Sequence, residues 1–184
     1  MPIFVCRPAK TAAAWAGCMA KVIGIDPGLA GTGIGIVEGR GAVVAHAAYG
    51  HIATDRGQSL AGRLDDIFAR LTDILREQRP DMMVVEDIFS VGRFPHSAIL
   101  LGKVTGVILL AGYRQHIPVA EIAVREAKKV LTGNGRASKS QLENAVRHHL
   151  KLPRPIRPYH AADALGLALI GLMRYGGKLK CQVL

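Results

Sequence analysis

A chain of 184 residues, 49% hydrophobic and 21% charged, is long enough to bury one core without covalent staples and too apolar for extended disorder. Three cysteines, Cys6, Cys18 and Cys181, lie near the termini without metal-ligand spacing, which argues against a disulfide framework or a zinc site and fits a reducing cytoplasm. A net charge of +10 favours a polyanionic partner, nucleic acid or an acidic membrane surface, and no apolar run is expected to reach the ~20 residues of a membrane span.

Residues 1–20 are read as a disordered N-terminal extension, with Met19 an alternative start; Thr11–Gly17 is too short and alanine-rich for a signal core. From Lys21 the run Val-Ile-Gly-Ile-Asp-Pro-Gly is a strand that delivers Asp26 to its C-terminal end. Thr32–Val37 and Ala42–Tyr49 follow as extended segments with a turn at Gly39–Gly41, giving an antiparallel meander. Ser59–Gln78 carries Leu60, Leu64, Ile67, Phe68, Leu71, Ile74 and Leu75 at helical spacing, and Pro80 stops it. Met82–Glu86 repeats the pattern of a buried strand ending in an acid, reached by a parallel crossover.

His96–Gln115 is an apolar helix with Ala98, Gly102 and Gly106 lined up along one side, where another helix could approach closely. Packing within the chain is the simpler explanation of that stripe, and a second subunit the alternative. Ile117–Ile122 reads as a strand and Arg125–Leu131 as a helix ended by Gly133-Asn134-Gly135. Ser138 with Gln141 forms a capping box opening a helix to about Leu150. After Pro153–Pro158 a last helix runs from about Tyr159 to Met173. The order implies an α/β fold, a mixed five-stranded sheet with helices on both faces, over residues 21–175, with 176–184 as a tail.

Asp26 and Glu86 each end an apolar strand, where an ionised carboxylate costs several kcal/mol unless a cation or hydrogen bonds compensate. A divalent metal supplies that charge, and oxygen-rich ligands select magnesium or manganese over zinc. His160 and Asp163, three residues apart in the first turn of the last helix, share a face; the helix N-terminus favours the Asp163 carboxylate and a neutral, metal-competent His160. Singly, Asp163 is ordinary helix-terminal charge placement and His160 a surface histidine. As a set the four provide ligands for two ions ~4 Å apart sharing Asp26, an arrangement suited to phosphodiester hydrolysis without a protein nucleophile. Nine Lys and Arg against two Glu between Arg125 and Arg157 give that segment a basic bias, which is either a solvated face or a nucleic-acid contact.

In Ile23-Gly24-Ile25-Asp26-Pro27-Gly28, Val84-Val85-Glu86 with Phe89, Ser97–Leu101, Arg125–Lys129, Gly133-Asn134-Gly135 with Lys139, and His160-Ala161-Ala162-Asp163-Ala164-Leu165, the chain closely resembles the RuvC family of crossover-junction endodeoxyribonucleases. These belong to the ribonuclease H and integrase superfamily, and the match runs from about Lys21 to Met173. The resemblance implies a ribonuclease H-like fold and magnesium-dependent resolution of four-way (Holliday) DNA junctions in recombination and repair. It also implies two ions per subunit, with manganese a plausible substitute, a homodimer, and work beside branch-migration proteins. Asp26, Glu86 and Asp163 match three of the family's four catalytic acids; His160 stands where many members carry a further Asp. Lys128 and Lys139 match basic residues near the scissile phosphate, and Phe89 an aromatic that contacts junction bases. Arg93 and Arg136 are further phosphate-contact candidates. Asp87 is expected to face the opposite side of its strand and is left out of the site.

Two other readings remain. A glycine-rich hairpin after a strand-end Asp also suits an actin-like or sugar-kinase-type nucleotide-binding module, although those need a second lobe. The histidine among the ligands also suits a non-catalytic binder of branched DNA.

Overall fold

The computed structural model describes residues 19–87 and 95–179. Five strands, β1 (Ala20–Asp26), β2 (Gly31–Arg40), β3 (Val43–Ala53), β4 (Met82–Glu86) and β5 (Val119–Ile122), form one sheet in the order β3-β2-β1-β4-β5. The β1-β2-β3 meander is antiparallel and β4 and β5 join parallel to β1, so the sheet is mixed, as expected. The helices are α1 (Leu60–Gln78), α2 (Pro95–Arg114), α3 (Val124–Thr132), α4 (Lys139–His149) and α5 (Tyr159–Leu179).

Period-two alternation along the strands sorts the core into two layers. Ile23, Ile25, Ile34, Met83 and Val85 point to one face and pack with Ile67, Leu71 and Leu75 of α1 and Val104, Ile108 and Ala111 of α2. Val22, Val37, Met82 and Val84 point to the other and pack with Leu142 and Val146 of α4 and the long apolar run of α5. α5 is buried continuously from Ala161 to Leu172, sandwiched between the sheet and the shorter helices α3 and α4.

Local signals set the helix ends. Ser59 caps α1 by accepting from the Gly62 N–H, and Arg79 closes it in a left-handed conformation at φ 47°. Ser138 and Gln141 make the reciprocal capping box of α4.

Four expectations need correction. β2 and β3 run longer than the patterns suggested: a bulge at Glu38/Gly39 absorbs the glycine so that β2 pairs on to Arg40, and at the other end β3 pairs with Gly31–Ile34 as far as Ala53. α5 continues to Leu179, so residues 176–179 are its last turn rather than the start of a tail. The small-residue stripe of α2 is not packed within the chain: Gly102 and Gly106 are exposed, with open space where a side chain would stand. His96–Arg114 is moreover long and apolar enough to cross a membrane by length and composition, with mean hydropathy 1.4. One such helix is weak evidence for a span, since core helices pass the same test. Only 28% of its window is buried, leaving apolar residues such as Ile99 and Tyr113 in the open.

Candidate active site

β1 and β4 are parallel neighbours in the register Ile25↔Val85, so the next residue on each, Asp26 and Glu86, ends its strand beside the other. Both follow by two residues a position that faces α5, Gly24 and Val84, and therefore project to that same face. Two carboxylates are thereby fixed at the carboxyl edge of the sheet by backbone pairing alone.

The third and fourth groups arrive on α5, and glycines explain how. A Cβ on Gly24 would run into the Ala164 carbonyl, one on Gly33 into the His160 carbonyl, and one on Gly35 into the Leu165 backbone. Without those side chains the backbone of α5 lies directly on β1 and β2. Its first turn therefore sits against the end of β1, and His160 Nδ1 lies 2.9 Å from Asp26 Oδ2.

Asp26, Glu86, His160 and Asp163 line one cavity of about 250 Å³ together with Lys128 of α3 and Lys139, the first residue of α4. Pro27, Asp87, Leu101 and Val124 complete the lining. The exclusion of Asp87 is thus corrected. β4 ends at Glu86, so strand alternation no longer governs the residue after it, and Asp87 reaches the cavity while its N–H bonds the Ile122 carbonyl. Leu101 and Val124 gave no chemical signal in the sequence; they are wall. Arg136 is exposed and does not line the cavity. Phe89 and Arg93 lie outside the described residues.

The electrostatics record three acids crowded into partly dry space. Burial pushes the Glu86 carboxyl up to about 8, reinforced by its hydrogen bond with Asp26 and by the charges of Asp26 and Asp163, with Lys139 acting the other way. Burial and Asp26 raise Asp163 to about 6, against the pull of Lys139, Lys128 and His160. His160 is raised by its hydrogen bond to Asp26, which reverses the lean toward a neutral imidazole expected from the helix N-terminus.

Among the described residues no three His, Cys, Asp or Glu side chains are gathered tightly enough to enclose an ion as they stand. The donors converge on one cavity instead of a closed shell. Their chemistry nonetheless fits hard divalent cations: three carboxyls and one imidazole converge, with Glu86 and Asp163 raised first by burial and then by the neighbouring acids. With Nδ1 engaged by Asp26, His160 has Nε2 left to bind an ion.

A family model described as crossover junction endodeoxyribonuclease RuvC matches residues 22–171. The crossover junction endodeoxyribonuclease RuvC of Prosthecochloris aestuarii is 40% identical over 152 residues, 83% of this chain and 81% of that protein. Its counterpart from Carboxydothermus hydrogenoformans is 38% identical over 159 residues, 86% of this chain and 99% of that protein. Among solved structures, T. thermophilus RuvC in complex with Holliday junction substrate superposes with a TM-score of 0.76 at 32% identity, covering 82% of this chain and 91% of that one.

Proposed function

This chain belongs to the RuvC family of crossover junction endodeoxyribonucleases, and from that premise we infer how its cavity does the family's work. It is a divalent-metal-dependent, ribonuclease H-like nuclease that resolves Holliday junctions by hydrolysing phosphodiester bonds. The observation that carries the site assignment is the convergence of Asp26, Glu86, His160 and Asp163, from two strands and a helix, on one cavity with two lysines at its wall.

In this reading Asp26, Glu86, His160 and Asp163 hold two ions per subunit, magnesium with manganese as a substitute. When bound, such a pair supplies an acidified water for attack on phosphorus and neutralises charge on the leaving 3′ oxygen. Strand pairing holds the backbone of Asp26 and of Glu86 in place, so both carboxylates start from fixed positions at the mouth of the cavity. His160 is held in orientation by Asp26. Lys128 and Lys139 offer ammonium groups to the non-bridging phosphate oxygens and orient the strand to be cut. Phe89 would stack on or wedge against an unpaired junction base.

Paired symmetric nicks require two such sites. We therefore assign a two-fold homodimer, its interface the apolar, small-residue face of α2, acting in the cytoplasm beside branch-migration proteins. A synthetic four-way junction, a duplex and a single strand, each incubated with and without divalent metal, test the assignment. Paired nicks confined to the junction, dependent on metal and lost in Asp26→Asn with binding retained, are expected. Metal-dependent cutting that survives Asp26→Asn would refute the site.

A further inference from the structure

The segment from Arg125 to Arg157 contains only two acids. One of them, Glu126, is exposed and pairs with Arg174. The other, Glu143, is buried on α4, only 4% exposed. A carboxylate in such a place needs compensation, and Glu143 has two partners. Arg147, one turn along α4, stands 3.6 Å away as counter-charge. The Glu143 Oε1 accepts a hydrogen bond from the backbone N–H of Ile156 at 2.8 Å, both groups being buried.

Ile156 belongs to the linker that feeds α5. Three of the six residues from Pro153 to Pro158 are prolines and have no N–H to donate, so the linker has few ways to fasten its backbone. The Ile156 side chain is fully buried in the core layer that also holds Leu142, Val146 and Ala161. The Glu143 bond fixes the backbone of that same residue, four positions before His160 and seven before Asp163. Every donor that α5 contributes to the cavity therefore starts from a point tied to α4. Lys139 begins that same helix, so the tie joins a lysine and two candidate ligands in one frame.

We propose that Glu143 is a positioning residue: its carboxylate, by accepting from the Ile156 N–H, sets the first turn of α5 so that His160 and Asp163 meet Asp26 and Glu86. The proposal rests on His160 and Asp163 being metal ligands. It requires an acceptor at this place and not a charge, so Glu143→Gln keeps the function. Glu143→Asp pulls the oxygen back and Glu143→Leu removes it; both leave the Ile156 N–H orphaned.

The test compares the full-length wild type with these three variants by amide hydrogen exchange, by calorimetric titration with Mn2+ alone, and by cleavage of a four-way junction. Glu143→Gln should match the wild type in all three. Glu143→Asp and Glu143→Leu should exchange at least about tenfold faster over residues 156–163 and bind Mn2+ more weakly. Their kcat should fall by about a hundredfold with little change in KM for the junction. Should Glu143→Leu not fold, Glu143→Asp carries the comparison. Wild-type exchange and Mn2+ binding in a folded Glu143→Asp, or a Glu143→Gln as impaired as Glu143→Leu, overturns the proposal. Failure of the wild type itself to bind Mn2+ would instead overturn the metal-ligand reading on which it rests.

Discussion

Glu86 carries most of the tension in the cavity, because it holds its proton to about 8 where a free carboxyl releases it at 4.5. The metal-free folded state thus keeps a proton that the unfolded chain has lost. The associated stability is complete below about 4.5 and disappears as pH rises through about 8. Asp163 acts in the same sense between 3.8 and about 6. The metal-free protein should therefore lose thermal stability across this interval, and Glu86→Gln should raise its Tm at the upper end and flatten the slope while abolishing cleavage. A Tm that is flat or rising over the same range in the wild type would contradict this. His160 makes a second residue-scale prediction. Its raised protonation, caused by Asp26, sets a proton against a metal ion at low pH. His160→Asp should extend junction cleavage to lower pH, and in the wild type manganese should serve at least as well as magnesium. Strict magnesium dependence in a metal titration would count against the histidine as a ligand. At this scale the sequence was informative where a carboxylate ended an apolar run, since no core position tolerates one cheaply. Asp87 was not legible, because where a strand stops is decided by its partner's pairing and not by its own alternation.

The element that makes the site is α5, and its placement depends on what β1 and β2 lack. Gly24, Gly33 and Gly35 open the surface on which its backbone rests. Gly33→Ala places a methyl against the His160 carbonyl, where neither side is a flexible side chain that could move. Such overpacking typically costs about 1–3 kcal/mol, and here the relief available is to lift the first turn of α5. Cleavage should accordingly fall more than stability does, whereas Gly41→Ala, at a turn with open space but a left-handed φ of 57° that strains any side chain, should lower Tm while the folded protein cleaves as before. Equal loss of activity from both, measured beside their Tm values, would argue that α5 has no special contact. The helices themselves were readable from spacing and caps: α1 from its apolar period and Ser59, α4 from Ser138 and Gln141. The glycines in β2 were read as features of an extended segment. Their true role, a seat for a helix more than a hundred residues away, is long-range packing that no local pattern encodes. The bulge at Glu38/Gly39 was hidden for the same reason, since it exists only in relation to β3.

At the scale of the whole molecule, the sheet separates chemistry from association. α3, α4 and α5 pack on the face from which the candidate ligands Asp26, Glu86, His160 and Asp163 converge, and α1 with α2 covers the other, α2 reaching the cavity only through Leu101. α2 also leaves Ile99, Leu110 and Tyr113 exposed beside two open glycines, more apolar surface than a lone helix face normally shows to water. Sedimentation should find a dimer, and Ile99→Glu with Tyr113→Glu should give a folded monomer that nicks junctions singly. A wild-type monomer with full, paired cleavage would refute the interface. The stripe on α2 was visible in the sequence, but its direction was not, because only the packed chain shows which side of the helix the core claims. All of these expectations presuppose that remote side chains share a pair of cations in one cavity. Crystals grown with Mn2+ and measured at the manganese absorption edge address that most directly. Two anomalous peaks per chain, roughly 4 Å apart and bounded by Asp26, Glu86, His160 and Asp163, are expected. Peaks located elsewhere, or none in a protein that still cuts junctions, would contradict this.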